Sequence, residues 1–141
     1  RIPRAHPSLT FRTEPLRHRH PLTSIVASPG VIVAAYTTGH IRVFDPSSKS
    51  LAAEICAHAR CINALSMHPT RDVFAAVGED AMLTVWSLPE LETKGGYRAE
   101  LVSSTKLADQ MLTGVQISKT LPYTVAAAGY DVTSLSALRM P

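Results

Sequence analysis

The residues best suited to chemistry in this 141-residue sequence are a histidine and an aspartate, His58 and Asp80. A carboxylate beside an imidazole can hold the ring as a general base for a neighbouring nucleophile. No serine or cysteine in a recognisable nucleophile motif accompanies the pair, so the sequence favours a structural hydrogen bond over a catalytic dyad. The sequence therefore predicts no catalytic residue and no enzyme.

Other candidate groups are equally incomplete. His18 and His20 have a spacing that could hold a divalent metal, but a convincing site needs three or four ligands with supporting carboxylates. Gly95-Gly96 lacks the lysine and hydroxyl context of a phosphate loop. Cys56 and Cys61 are too few for a disulfide framework, and we interpret both as structural. We therefore predict no metal site and no cofactor.

Charge is concentrated at one end of the chain. Residues 1–20 contain five arginines and one glutamate, whereas the whole chain has a net charge of only +3. This segment could bind nucleic acid or acidic lipid. No aromatic platform or recognition motif accompanies the charge, so a solvated connector is the favoured interpretation. The apolar runs elsewhere are far shorter than the roughly 20 residues of a membrane-spanning helix.

The main signal is internal repetition with a period of about 40 residues. The segment TSIVASPGVIVAAYTTGHIRVFD aligns with CINALSMHPTRDVFAAVGEDAMLTVWS over its whole length. In each copy a polar turn leads into an alternating strand that ends in an aromatic residue, Phe44 or Trp86. A more divergent third copy runs from Met111 to Leu138. This fixed period favours the four-stranded blades of a β-propeller over a β-sandwich, whose strands are not related in fours.

The repeat divides the chain into a connector and successive blades. We expect residues 1–20 to be a basic connector or the end of a preceding blade. Residues 21–56 and 57–101 are expected to form two blades, the second with a long loop at 89–96, and residues 102–141 an incomplete final blade. Because a closed ring needs four or more blades, we expect the rest of the propeller to come from a longer parent chain or a second chain.

The predicted fold class is all-β, a partial β-propeller of about two and a half four-stranded antiparallel blades. The nearly continuous apolar runs Val31–Tyr36 and Val73–Val77 are interpreted as inner strands that are buried on both faces. The third strands of the copies alternate more, as strands nearer the rim should.

The segment from His58 to Trp86 resembles a WD40 repeat. His58 stands where that family has the histidine of its GH dipeptide, Asp80 where it has the aspartate of the turn between the second and third strands, and Trp86 where it has the tryptophan of the closing WD. The equivalent positions of the other copies hold His18, Thr38, Phe44, Asp45 and Asp131.

The resemblance implies that His58 and Asp80 form a structural clasp across the blade. Asp80 would accept a hydrogen bond from the His58 ring and tie the entering strand to the tight turn. The hydroxyl residue that the family places four positions before the turn aspartate is here Ala76. We therefore expect a shortened network, in which the indole N–H of Trp86 needs water or another acceptor.

From Leu22 to Arg139 the chain is also similar to the C-terminal half of one eukaryotic WD-repeat family, through AHARCINAL, GEDAMLTVW and AAGYDVTSLSALR in that order. This resemblance implies a non-enzymatic cytoplasmic scaffold for protein–protein interaction, without cofactor or membrane span. Two alternatives stay open. The chain could be a structural subunit of a large ciliary or cytoskeletal assembly, or it could bind nucleic acid or acidic lipid through residues 1–20.

Overall fold

The computed structural model describes residues 20–89 and 97–140. Within these ranges all the regular secondary structure is β-strand. Eleven strands of the described residues form three antiparallel sheets, two of four strands and one of three. The same residues contain no helix long and apolar enough to cross a membrane. These observations confirm the predicted all-β class of successive antiparallel sheets.

Each sheet is a meander whose strands pair in chain order. The first sheet contains β1 Leu22–Ser28, β2 Val31–Tyr36, β3 His40–Asp45 and β4 Ser50–Cys56. The second contains β5 Ile62–Met67, β6 Val73–Gly78, β7 Met82–Ser87 and β8 Glu100–Lys106. The third contains β9 Leu112–Ile117, β10 Thr124–Gly129 and β11 Ser136–Arg139.

The sheets converge on their first strands. Contacts between sheets join β1 to β5 and β5 to β9, with further contacts of β2 with β5 and β6 with β9. The first strand of each sheet is therefore the innermost one. The runs Val31–Tyr36 and Val73–Val77 are the second strands, inside the third strands as predicted but not innermost, and their predicted burial is confirmed. Those runs are apolar because they form the second strands, where β2 and β6 are buried over nearly their whole length.

Polar side chains link the inner strands to one another. Ser24 of β1 accepts a hydrogen bond from the backbone N–H of Leu65 in β5, at 3.1 Å. Ser66 of β5 accepts one from the backbone N–H of Ile117 in β9, at 3.0 Å. The inner strands thus carry serines where the sheets meet, which explains why they are less apolar than the second strands.

Two apolar cores fill the spaces between the sheets. The first is built by the first and second sheets and includes Val33, Ile41 and Phe74, each fully buried. The second is built by the second and third sheets and includes Leu83 and Ile117. Burial on both faces makes the middle sheet the most enclosed of the three, so a polar group placed within it needs a partner.

The turn between β2 and β3 requires glycine. Gly39 has a φ of 81°, in the left-handed region that side chains with a Cβ rarely adopt. A Cβ at this position would also collide with the backbone carbonyl of His58. The turn therefore packs directly against the chain that enters the second sheet.

The strands can be compared with the predicted blade limits. The first sheet lies within residues 21–56, whereas the limit at residue 101 falls inside β8, which extends the second sheet to Lys106. The last strand of the third copy begins only at Ser136, because residues 130–135 form the turn that precedes it. Most of the 1–20 connector and of the 89–96 loop lies outside the described residues.

An alanine between β8 and β9 allows the strain of a left-handed backbone conformation to be measured. Ala108 is exposed and has a φ of 51°, where an L-residue with a Cβ is strained. We expect Ala108→Gly to raise the free energy of unfolding by about 0.5–1 kcal/mol, measured by urea denaturation. Ala59→Gly is the control, since Ala59 is exposed but outside the left-handed region, and it should not stabilise the protein. If both variants change the free energy of unfolding equally, the backbone at Ala108 is not strained.

Candidate functional site

The second sheet contains a cluster of polar side chains centred on His58 and Asp80. His58 lies in the connection between β4 and β5, and its Nδ1 is 2.9 Å from Asp80 Oδ1 and 3.1 Å from Oδ2. The Asp80 carboxylate also accepts the backbone N–H groups of Ala59, at 3.0 Å, and Met82, at 3.2 Å. These bonds tie the entering chain to the tight turn between β6 and β7.

The network continues on the other side of the imidazole ring. His58 Nε2 lies 3.0 Å from Thr84 Oγ1, and Trp86 Nε1 donates to the same oxygen at 2.9 Å. The indole, hydroxyl, imidazole and carboxylate therefore form one continuous chain of hydrogen bonds. The expectation that the Trp86 N–H needs another acceptor is confirmed, since Thr84 Oγ1 provides it in place of the hydroxyl absent at Ala76. The expectation of a shortened network is wrong, because Thr84 also reaches His58.

Strand register explains how Thr84 takes the place of a hydroxyl at Ala76. The two residues are cross-strand partners in the antiparallel pair of β6 and β7, and each is four residues from Asp80. Directly opposed residues project from the same face of a sheet, with Cβ atoms about 5 Å apart. A hydroxyl can thus approach the same point from either strand. The hairpin centred on Asp80 was the sequence signal that could have identified Thr84.

One arrangement of protons satisfies every group in this cluster. The indole N–H of Trp86 donates to Thr84, and the Thr84 hydroxyl donates to His58 Nε2. The remaining ring nitrogen then carries the proton that it donates to Asp80. Thr84 is 3% exposed and the His58 side chain is fully buried, so water cannot reach these atoms. The protein must therefore supply their hydrogen-bond partners itself.

The carboxylate is held in its charged form. Burial raises the pKa of Asp80, but the hydrogen bond from His58, with those from the N–H groups of Ala59 and Met82, lowers it more. The net result is a pKa below the usual value. Asp80 is therefore an anion bonded on several sides, which suits a structural clasp.

The geometry leaves this cluster little scope for catalysis. A general base must reach the proton that it removes from a substrate. Both ring nitrogens of His58 already have partners, and its side chain has no exposed surface. The cluster can hold a blade together but presents no accessible base or nucleophile.

The first sheet does not repeat this cluster at the equivalent positions. Thr38 contacts His40, with 3.0 Å between Oγ1 and Nδ1, and Phe44 is buried against Ala34 and Tyr36. Asp45 accepts hydrogen bonds from the turn after β3, contributed by Ser47 N and Ser48 Oγ. These bonds lower the pKa of Asp45, that from Ser48 most strongly. His18 lies outside the described residues.

An arginine stands in the first sheet where the second has Thr84. Arg42 pairs across the strands with Ala34, as Thr84 does with Ala76. Its Nε is 3.0 Å from Glu54 Oε2, and its guanidinium lies over the Tyr36 ring, 5.1 Å from the centroid. A cation–π contact and an ion pair replace the hydroxyl here.

In the third sheet the turn aspartate is not enclosed. Asp131 is exposed, with a φ of 55°. Ala127 pairs with Ser136, so an alanine and a hydroxyl residue again oppose each other, as in the second sheet. Of the predicted site residues that the structure describes, His58, Asp80 and Trp86 are the ones brought together in this cluster.

Metal binding finds no support in the part of the chain that the structure describes. Those residues contain no group of three or more histidine, cysteine or acidic side chains placed to hold an ion. Cys56 and Cys61 are both free thiols. Of the candidate metal ligands His18 and His20, His20 lies within the described residues and His18 does not.

Comparison with solved structures agrees with the sheet arrangement. The β-propeller domain of Cps50 (Swd1) from Myceliophteria thermophila superposes with a TM-score of 0.75 at 17% sequence identity. The match covers 86% of this chain and 38% of that one. The identity is low, so this likeness shows the WD40 β-propeller fold alone.

Sequence relatives are more specific. The chain is 27% identical to WD repeat-containing protein 54 of Mus musculus and 26% identical to that of Homo sapiens, each over 132 residues. Both matches cover 94% of this chain and 40% of the relative, so the chain spans less than half of their length. A shorter match, 31% identical over 85 residues, is to Centriole proteome protein 16 of Chlamydomonas reinhardtii.

The family model extends the similarity over nearly the whole sequence. The model described as WDR54 matches residues 2–139. This range includes all three sheets and the His58, Asp80, Thr84 and Trp86 cluster. The chain therefore belongs to the WDR54 family of WD-repeat proteins and forms part of a β-propeller.

Proposed function

We propose that this chain is a non-enzymatic scaffold that presents the loops at the ends of its blades to other proteins. Membership of a WD-repeat family and the propeller fold support the proposal. Propellers host unrelated functions, so it is the distribution of side chains in this chain that favours a scaffold. We further propose that the protein acts in the cytoplasm.

The observation that carries the proposal is the contrast between buried polar groups and exposed apolar ones. The His58 and Asp80 pair is enclosed in the sheet. Large apolar side chains, in contrast, are exposed in the loops of the third sheet. They are Leu121 (77% exposed), Tyr130 (68%) and Leu135 (75%). Aromatic and aliphatic side chains on a rigid frame are the usual anchors of a protein interface.

The two ends of the third sheet can be tested separately. Tyr130 and Leu135 lie in the loop between β10 and β11, and Leu121 lies in the loop between β9 and β10, at the opposite end of β10. We expect Tyr130→Ser with Leu135→Ser to weaken capture of a protein partner about tenfold or more. The measurement is quantitative affinity purification of the tagged full-length protein, followed by mass spectrometry.

Leu121→Ser is the matched control, because it removes an equally exposed apolar side chain from the other end of the sheet. A partner lost with one variant and kept with the other identifies the binding end. All variants should keep the melting temperature of the wild type, since the altered side chains are exposed. If neither variant loses a partner, binding through these loops is wrong.

A structural role in a large assembly is the second candidate. One relative is named as a centriole proteome protein, although the match covers only 4% of it and 55% of this chain. Under this proposal the tagged protein would remain with the detergent-insoluble cytoskeleton when cells are extracted. A scaffold of the cytoplasm would be released by the same extraction.

A further inference from the structure

A second cluster of polar side chains lies at the surface of the first sheet, where β3 begins and β4 ends. His40 and Cys56 are cross-strand partners, and Cys56 Sγ is 3.3 Å from His40 Nε2. The other ring nitrogen, Nδ1, lies 3.0 Å from Thr38 Oγ1. Cys56 is exposed. Its thiol is therefore both next to a base and open to solvent.

The backbone holds these three side chains on a fixed frame. The carbonyl of Gly39, between Thr38 and His40, accepts the N–H groups of Ala57, at 3.1 Å, and His58, at 3.0 Å. These bonds join the turn before β3 to the residues that follow Cys56. The sulfur and the imidazole are thus positioned by strand pairing and by the turn, and Thr38 limits rotation of the ring.

The other cysteine of the chain has a contrasting environment. Cys61 is half-buried, and its Sγ donates to the carbonyl of Ile62 at 3.6 Å and to Asn63 Oδ1 at 3.7 Å. Burial, with a smaller contribution from the charge of Glu79, raises the pKa of Cys61. Cys61 therefore stays a protonated thiol and provides an internal control.

We propose that Cys56 is a thiol-modification site that reacts with small disulfides of the glutathione class, with His40 as the base and Thr38 as a positioning residue. An exposed thiol bonded to an imidazole favours thiol–disulfide exchange, since the thiolate is the attacking form and the imidazole can accept the thiol proton. Cys56 is exposed, so the adduct can form in the folded protein without displacing the buried side chains of the His58 and Asp80 clasp.

The exchange step balances without a further oxidant. His40 Nε2 takes the proton from Cys56, and the thiolate attacks one sulfur of the small disulfide. A new bond forms between Cys56 Sγ and that sulfur as the original disulfide bond breaks. The leaving thiolate takes the proton back from the imidazolium and departs as a thiol. Cys56 is oxidised to a mixed disulfide, and half of the small disulfide is reduced.

Oxidised glutathione is the probe for the experiment. The native full-length protein is incubated with it, quenched with an alkylating agent, digested and mapped by mass spectrometry. We expect Cys56 to acquire the adduct at least about tenfold faster than Cys61. In urea-unfolded protein the two rates should become similar, because the difference depends on the folded environment.

Variants distinguish activation of the Cys56 thiol by His40 from reactivity that comes only from its exposure to solvent. His40→Gln should lower the Cys56 rate about tenfold while leaving the Cys61 rate unchanged. Thr38→Val should lower the Cys56 rate by a smaller factor, whereas Thr38→Ser, which keeps the hydroxyl, should react at the wild-type rate. Thr133→Val removes an exposed hydroxyl elsewhere and should leave the Cys56 rate unchanged. Melting curves establish that each variant is folded. Equal rates at Cys56 in the wild type and in His40→Gln, or a faster reaction at Cys61, would overturn the proposal.

Discussion

Thr84→Val is expected to lower the free energy of unfolding by about 2–3 kcal/mol, because it leaves the buried ring nitrogen of His58 and the partly buried indole N–H of Trp86 without their partner. His58 Nε2 and Trp86 Nε1 both use the Thr84 hydroxyl, at 3.0 Å and 2.9 Å. Valine has nearly the same shape as threonine, so packing changes little and the loss reports the hydrogen bonds. Urea denaturation of the purified full-length protein, followed by the fluorescence of Trp86, measures the effect.

Two further variants test whether the position of the oxygen is what matters. Thr84→Ser keeps the hydroxyl and should cost less than half as much as Thr84→Val. Ala76→Ser added to Thr84→Val returns a hydroxyl from the opposite strand, since residues 76 and 84 are cross-strand partners. We expect this pair to recover about 1 kcal/mol of the loss. If Thr84→Val is as stable as the wild type, Thr84 is not part of a stabilising network.

The repeat allowed the sheets to be predicted from the sequence, because alternation, turn residues and a fixed period are local signals. Thr84 was missed for a physical reason. A family motif assigns the hydroxyl to one position, whereas the network needs an oxygen at one point in space. Residues 76 and 84 both approach that point, and only the pairing of β6 with β7 makes this visible.

The order of strands from the centre could not be inferred from apolar content. Hydrophobicity indicates burial on both faces, which β2 and β6 have, but it does not indicate distance from the centre. The inner strands instead need polar atoms, because Ser24 and Ser66 bond to the backbone of the next sheet. The contact between His40 and Cys56 was likewise hidden, since the register of β3 and β4 creates it.

The clasp must also impose a pH dependence on stability. The pKa of Asp80 is lower in the folded protein than its usual value. A group of this kind contributes stability that is present above its unfolded pKa, about 3.9, and that is lost as the pH falls through the folded pKa. The stability due to Asp80 is therefore complete at pH 5 and decreases between about pH 4 and the lower, folded value.

Asp80→Asn is expected to lower the free energy of unfolding by about 3 kcal/mol at pH 5, because it removes the charge and presents an amide to three N–H donors. The difference from the wild type should then narrow below about pH 4, where the wild-type carboxylate is itself protonated. Urea denaturation at a series of pH values from 5 to 3 measures both effects. Asp109→Asn is the control, since that carboxylate is 94% exposed and pairs with Lys106 at the surface. It should change stability by less than about 0.5 kcal/mol. A constant difference between the wild type and Asp80→Asn down to pH 3 would show that the charge on Asp80 does not stabilise the clasp.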